Sequence, residues 1–536
     1  MIRAPIVISS IIWLFVATCT IHCWPLPRNV CNSPFALRDS SKPTTVVGNG
    51  QPGSCNQNSL SAALLKGGII TFNCGGQPVE IAINTELQVS KDNDTVIDGA
   101  GIVTLNGLGI TRILKFDRGD FRYSTPTLTI QRLRFINGRC QDSDGGCAIL
   151  QKNGGTTIVV SSSFENNIGP TVGQDVAGGA IWTLGGGDTT IVGSVFQQNK
   201  CSNGGALGIL GSGLYIYNSH FQNNQATGNG GNPGNGGNGG AISFDGRGRN
   251  NTICGTRFTG NQANKYGGAF FRVSYNGGEQ NNFDVVLVDS NFISKDGNGL
   301  AGGLYIQGGS ASILNTVIAN NSADGAGGLF LANEKSVTLN KVNFLDNKAY
   351  TDGNGLAGGL YIQGGSASIL NTVIANNSAD GAGGLFLANE KSVTLNKVNF
   401  LDNKAYTGLG AAVFCSSPVS GTFSGLTVAN NNAGAFGAAF AFCSTSVTLS
   451  NSIIANNTVG NPWPANACTS MMNDGTGVIQ SPNSKQSPAN GADAPCTNGS
   501  VKVENNISVE LHKTSWTIQA IGAQVVYSGP TVVPGL

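Results

Sequence analysis

Residues 296–351 read DGNGLAGGLYIQGGSASILNTVIANNSADGAGGLFLANEKSVTLNKVNFLDNKAYT, and residues 352–407 repeat that string without a change. The copied block is 351 − 296 + 1 = 56 residues long. A closed domain has no room for such an insertion. A stack of like units accepts it, because every unit keeps the same kind of neighbour. Each copy holds two sub-units, opening at Gly302-Gly303-Leu304 and Gly327-Gly328-Leu329 in the first. Gly-Gly-Ala or a close variant opens similar segments at Gly178, Gly204, Gly239, Gly267, Gly358, Gly383, Gly410 and Gly437. Each opening leads into a strand-like run and then an Asn-rich turn. The turn asparagine stands three places after an aromatic or aliphatic residue, as in Phe164/Asn167, Phe196/Asn199, Phe221/Asn224, Phe258/Asn261 and Ile318/Asn321. Phe344/Asn347, Ile374/Asn377, Phe400/Asn403, Val428/Asn431 and Ile454/Asn457 continue the series.

This period has a physical reading. Runs such as SVTLN and KVNFL alternate in polarity, as strands do. The sharp turns between them need residues that tolerate positive φ, which are Gly and Asn. If one unit is one coil, equivalent residues stack about 4.8 Å apart on neighbouring coils. The asparagines then form a hydrogen-bonded ladder, and the Phe or Ile three places earlier forms an apolar ladder inside. The composition agrees: 78 of 536 residues are Gly and only 11% are charged. Pro is 18 and Gly follows no triplet period, which excludes collagen. A net charge of +1 with 40% hydrophobic residues excludes charge-driven disorder and argues against a nucleic-acid partner. So much Gly is unsuited to helix bundles. The predicted fold is all-β: a single right-handed parallel β-helix of about a dozen coils, with a short N-terminal capping helix.

The chain divides by composition. Residues 1–19 carry one cation and a short apolar run, the pattern of a signal peptide, with the mature chain expected to start near Thr20. Residues 20–54 read as leader or linker, 55–144 as cap and first coils, 145–460 as the repeat β-helix and 461–536 as the C-terminal cap region. Ser59 to Gly67 reads as one amphipathic helix, with Ser59 as N-cap, apolar positions 60, 63 and 64, and a Gly stop. Export permits disulfides. Among the 13 cysteines the expected pairs are Cys55–Cys74, Cys140–Cys147, Cys415–Cys443 and Cys468–Cys496, and Cys19 and Cys23 lie at the signal boundary. Glycosylation sequons stand at Asn93, Asn250, Asn320, Asn376, Asn456, Asn498 and Asn506. The expected protein is extracellular, lacks a transmembrane segment after signal removal, and is monomeric.

The Gly-Gly-Ala-(Ile/Leu) and Phe-x-x-Asn pattern resembles the repeats of polymorphic outer-membrane proteins and related secreted β-helices of the pectin-lyase-like fold. The opening Cys55…Ser59-Leu60-Ser61-Ala62-Ala63-Leu64…Gly68-Ile69-Ile70-Thr71-Phe72-Asn73-Cys74, with Thr95-Val96-Ile97-Asp98-Gly99-Ala100-Gly101, looks like their N-terminal cap and first coils. The resemblance covers roughly residues 50–460. It implies the fold more than a function, because this fold hosts lyases, hydrolases, adhesins and passenger domains.

Charge is densest between Asp117 and Asp144. Arg132 and Arg134, two apart on a strand, are expected to share a face, and with Asp142 and Asp144 they compose the site of an alternative reading, a lyase or hydrolase on acidic polysaccharide. Ca²⁺ enters only under that alternative; otherwise no metal and no cofactor is expected. The competing reading of the region is a salt-bridged surface. Arg118-Gly119-Asp120 spells the tripeptide known from integrin ligands, a weak binding motif. Gly228–Gly240 reads as an extruded loop rather than a phosphate cradle. Phe270, Tyr305, Phe330, Tyr361, Phe386 and Phe440 recur after the glycine pairs and are assigned to the core, with Trp182 and Phe271 one place later on the opposite face. The leading functional expectation is a non-enzymatic, adhesin-like protein that binds an extracellular glycan or surface macromolecule. A protective matrix protein is a third reading.

Overall fold

The structure, a computed structural model, describes residues 30–503 apart from 231–234, 247, 276, 295–297, 351–354, 390, 417–418, 461–466, 482–494 and 500, and beyond them residues 508–512, 515–520 and 523–527. The expected signal peptide, Cys19, Cys23 and the sequon Asn506 lie outside the described residues.

The chain is a right-handed parallel β-helix. One coil shows the plan. Leu329–Ala332 lies in a 13-stranded sheet, here sheet I. After a turn, Ser336–Asn340 and Asn343–Leu345 belong to a 30-stranded sheet, sheet II. Lys341, at φ 56°, bends that sheet between them into sides IIa and IIb. Asp346, at φ 54°, makes the next corner, and Lys348–Ala349 lies in a 10-stranded sheet, sheet III. The IIa/IIb corner recurs in the left-handed region at Arg132, Ser161, Gly193, Asn218 and Gly255, and onward to Asn451. A single left-handed residue turns the chain sharply without a loop, which is the demand behind the Gly and Asn content.

The asparagine at the second corner is buried and repeats its bonds from coil to coil. The Asn167 N–H and Nδ2 both donate to Asn199 Oδ1, at 3.0 and 2.9 Å. The same pair of bonds links Asn199 to Asn224, Asn224 to Asn261, Asn321 to Asn347, Asn347 to Asn377, Asn377 to Asn403, Asn403 to Asn431 and Asn431 to Asn457. Between Asn261 and Asn321 stands a rung absent from the expected series, Asn291, which bonds to both neighbours. Three places earlier sits Val288, as Val428 does before Asn431. The ladder crosses from one copy of the 56-residue block into the next at Asn347–Asn377 with no change of geometry. Inside, Phe135, Phe164, Phe196, Phe221 and Phe258 stack with ring centroids 4.7–5.2 Å apart.

Helix Gln57–Lys66 covers the open end, burying Leu60, Ala63 and Leu64 on the first coils. Its N-cap is Asn56, not Ser59. The Asn56 side chain accepts from the Ser59 N–H, and Ser59, at the third helical position, returns a bond to Asn56 in a capping box. Gly67 ends it as expected.

The cysteine pairs are Cys55–Cys74, Cys140–Cys147, Cys415–Cys443 and Cys468–Cys496, with a fifth, Cys31–Cys254, added. That fifth bond changes the reading of the leader. From Cys31 the chain runs back along the flank as a strap. Asn218 brackets Cys31 with bonds to its N–H and carbonyl at 3.1 and 2.8 Å. Gln131 does the same for Arg38 at 2.8 and 3.0 Å. Thr45–Val47 then joins sheet II beside Ile70–Phe72. At the other end parallel pairing continues beyond residue 460, through Ile479–Ser481 to Lys502–Val503. Ser508–His512, Ser515–Ala520 and Ala523–Tyr527 form an antiparallel three-stranded sheet.

Candidate functional site

The charge-dense region is not a cleft of free groups. Arg132 and Arg134 do not meet Asp142 and Asp144. The left-handed corner falls on Arg132 itself, at φ 52°, so the two arginines stand on either side of a bend. Arg132 pairs with the buried Asp98, to which it donates from Nε at 2.9 Å and again from Nη2. Burial pushes the Asp98 carboxyl up, but bonds from Arg132, Ser40, the Ala100 N–H and Gln131 outweigh it and hold the group at about 2. Arg134 pairs with Glu165. Asp142 is taken by Arg112, which also holds Glu86, and Asp144 by Lys152. All but Asp144–Lys152 are ion pairs that tie neighbouring coils together. In the Arg118-Gly119-Asp120 tripeptide both charges are engaged locally: Arg118 Nε donates to the Thr125 carbonyl and its guanidinium covers the Tyr123 ring, while Asp120 pairs with Arg122. The six sequon asparagines among the described residues (Asn93, Asn250, Asn320, Asn376, Asn456 and Asn498) are all exposed. His220 is half-buried and bonds Thr259; burial first, then Arg257, lowers it to about 4.

A different place collects chemistry. In sheet I the residue after each inward-facing position points outward, and the strand register defines one continuous outer column. It runs Leu150, Trp182, Gly208, Ser243, Phe271, Tyr305, Phe330, Tyr361, Phe386, Phe414. This corrects the expected grouping. Trp182 and Phe271 belong with Tyr305, whereas Phe270 and Phe440 pair with Leu304 and Val413 in the interior. From Phe271 to Phe414 the rings stack on one another at 4.5–5.3 Å. Tyr305, Phe330 and Tyr361 are only 5–8% exposed although they lie outside the coil, because neighbouring rings and Ala301, Ala326 and Ala357 cover them. Stacked rings offer edges, not faces, so this stretch is packing rather than a sugar platform.

The column is broken at two successive coils. Gly208 has no side chain and Ser243 a small one; Ala177 and the edge of Trp182, itself only 4% exposed, lie over Gly208, so the slot lies at Ser243, between that edge and Phe271. Gly208 is needed there: a Cβ would come within 2.4 Å of Ala177 and 2.8 Å of the Trp182 ring. The slot opens into a cleft with a cavity volume of about 120 Å3. Leu210 and Asp245 border its floor, Gln174 and Asp175 stand at one rim, and Tyr275 at another. Asn203 builds the first rim. It is buried, its Nδ2 donates to the Gln174 carbonyl at 2.6 Å, and its Oδ1 accepts the Asn238 N–H at 3.0 Å.

Asp245 and Asp175 face the cleft from separate elements, a sheet I strand and the pinned loop. Burial first, and Asp175 second, push the Asp245 carboxyl above its ordinary value, with Arg272 pulling the other way. The Tyr275 phenol is raised by partial burial and then by both carboxylates. Arg272 lies on the inner side of the same sheet, its guanidinium 3.9 Å over the Phe244 ring and its Nη2 donating to the Arg249 carbonyl at 2.6 Å. It thereby anchors the turn that follows Asp245. A second concavity, about 500 Å3 over Gln198, Asn223 and Gln225, is lined by amides and Lys200, without a ring or a carboxylate. Among the described residues no three His, Cys, Asp or Glu side chains converge as metal ligands, and no helix is long and apolar enough to cross a membrane.

No protein-family model matches the chain, and no curated protein does. Two solved structures match over 90% of it. Tailspike protein 3 of bacteriophage CBA120 is 11% identical, with a TM-score of 0.42 over 68% of that chain. PfbA, a surface adhesin of Streptococcus pneumoniae, is 12% identical, with a TM-score of 0.28 over 96% of that chain. Likeness at this level bears on neither activity nor ligand.

Proposed function

We propose that this is an extracellular, glycan-binding β-helix protein whose ligand is a neutral sugar chain seated between Trp182 and Phe271. The observation that carries the reading is the gap in the outer aromatic column. From Phe271 to Phe414 ring meets ring, whereas between Trp182 and Phe271 two rungs carry no ring, and the one at Ser243 is left open. An apolar slot rimmed by a few polar groups is the usual form of a small-ligand site. The partly exposed Phe271 ring suits the apolar face of a sugar ring, and Asn238, Gln174 and the two aspartates suit its hydroxyls. Two carboxylates, with no cation among the described residues that line the cleft, repel uronates and sulfated sugars, which favours a neutral ligand. Five disulfides favour an oxidising, extracellular setting.

The test is a glycan array and binding isotherms with the full chain and its Ser243→Phe variant. That substitution continues the ring stack into the slot. The expected result is retention of neutral glycans by the wild type, at least tenfold weaker binding by the variant, and an unchanged or raised melting temperature. Equal binding by the variant, or no neutral glycan retained, refutes the reading.

A further inference from the structure

We propose that the cleft also hydrolyses a glycosidic bond of the neutral glycan it holds, with Asp245 as general acid and Asp175 as general base. This rests on the binding reading above. The first support is position. Asp245 stands two residues beyond Ser243 on the strand Ile242–Asp245, so it borders the vacated rungs, and Asp175 faces the same cleft from a loop pinned by Asn203. The second is the absence of partners. Among the described residues neither side chain makes a hydrogen bond or ion pair, whereas Asp98, Asp120, Asp142, Asp144, Glu86 and Glu165 each hold a cation. Two uncompensated carboxylates in one cleft are a poor structural device and a usual catalytic one. The third is the inequality of their surroundings. Asp245 is half-buried on the floor and Asp175 is exposed at the rim. Burial and the neighbouring carboxylate favour a proton on Asp245, although Arg272 behind the sheet opposes it. Among the described residues that line the cleft, Tyr275 is the remaining titratable group.

The step balances with water as the co-reactant. Asp245 gives its proton to the linking oxygen as the bond from that oxygen to the anomeric carbon breaks, and the bonding pair stays on the oxygen. Asp175 takes a proton from a water whose oxygen forms the new bond to the same carbon. One carboxyl has lost a proton and the other has gained one, so the net reaction is addition of water across the linkage.

The experiment incubates the full chain with laminarin, xylan, dextran and galactomannan, and measures both retention and released reducing ends. The expected result is new reducing ends from a polymer that is retained. Asp245→Asn and Asp175→Asn each lower the rate by roughly 10²–10⁴-fold, with affinity changed less than threefold. The wild-type rate falls on the alkaline side as Asp245 loses its proton, and the residual rate of Asp245→Asn lacks that limb. Retention of a polymer without cleavage overturns hydrolysis and leaves the binding reading intact. Retention of no polymer overturns both. A wild-type rate in either variant overturns the assignment of acid and base.

Discussion

Replacing Asn291 by alanine tests whether the amide ladder holds the coils together. Asn291 Oδ1 accepts two bonds from the preceding rung, from the Asn261 N–H at 2.9 Å and from Asn261 Nδ2 at 2.8 Å. Its own Nδ2 reaches the Phe258 carbonyl and Asn321 Oδ1, each at 3.0 Å, and the Asp289 carbonyl at 3.1 Å. Alanine removes all five bonds. Some groups keep a partner: Asn321 Oδ1 still accepts the residue 291 N–H at 3.0 Å, and Asn261 Nδ2 still donates to the Phe221 carbonyl at 3.0 Å. The Asn261 N–H and its second amide hydrogen are left buried and unmet. At about 1–3 kcal/mol for each orphaned buried donor, the cost is on the order of 4 kcal/mol. In a stack whose units touch only their neighbours that cost is local. It is read by hydrogen exchange, where about 4 kcal/mol corresponds to roughly 10³-fold lower protection, in peptides covering residues 257–263 and 317–323. Asn282→Ala, on an outward strand position of the same coil, is the control and should stay within about 0.5 kcal/mol. Less than a tenfold loss in those peptides, or an equal loss along the whole chain, would refute the reasoning.

Two further predictions concern the strap and the interior. Changing both Cys31 and Cys254 to serine opens a link across 223 residues, worth up to about 5 kcal/mol in the chain-entropy account. The expected outcome is rapid tryptic cleavage at Arg38 with the coils beyond it still resistant, and a strap that stays resistant would show that the bonds from Asn218 and Gln131 suffice. Glu334 is buried, and burial, only partly offset by Arg272 and then by the Gly308 N–H, raises it from 4.5 to about 9. With the folded value above the unfolded one, its contribution is complete below about pH 4.5 and is lost as pH rises toward 9. Arg272 is the charged group that acts on it, and Arg272 is in turn shared with Glu279 and Asp245. Glu334→Gln should therefore flatten the fall in melting temperature between pH 5 and 9, and an unchanged slope would count against a protonated Glu334.

The coil was legible because its requirements are local and repeat. A left-handed corner accepts few residues, so Gly and Asn mark it wherever it falls, and Phe164/Asn167 or Ile374/Asn377 announce both ladders at once. Asn291 was within reach of the same reasoning, since the steps from Asn261 to Asn291 and from Asn291 to Asn321 are 30 residues each. The strap was not, because a bond between Cys31 and Cys254 joins elements far apart in the chain, and spacing alone favours near neighbours. The charged stretch around Arg132 misled for a related reason. Charge in a sequence shows supply, whereas a site needs charge left over, and here the supply is consumed by Asp98, Glu165 and Arg112 one coil away and by Lys152 within the coil.

The cleft was hidden for a further reason. It is defined by side chains that are missing, and a missing side chain has meaning only relative to the column it interrupts. Gly208 reads as one glycine among 78 until the register sets it between Trp182 and Ser243. The loop bearing Asp175 varies in length from coil to coil, so no periodicity brings that residue to Asp245. A solenoid therefore separates two kinds of information. Its repeated residues specify the stack, and they are visible without coordinates. Departures from the repeat specify what one place on the stack can do. Gly208, Ser243 and the pair Asp175 and Asp245, which find no ion-pair partner among the described residues, are such departures, and they coincide at a single point on the flank.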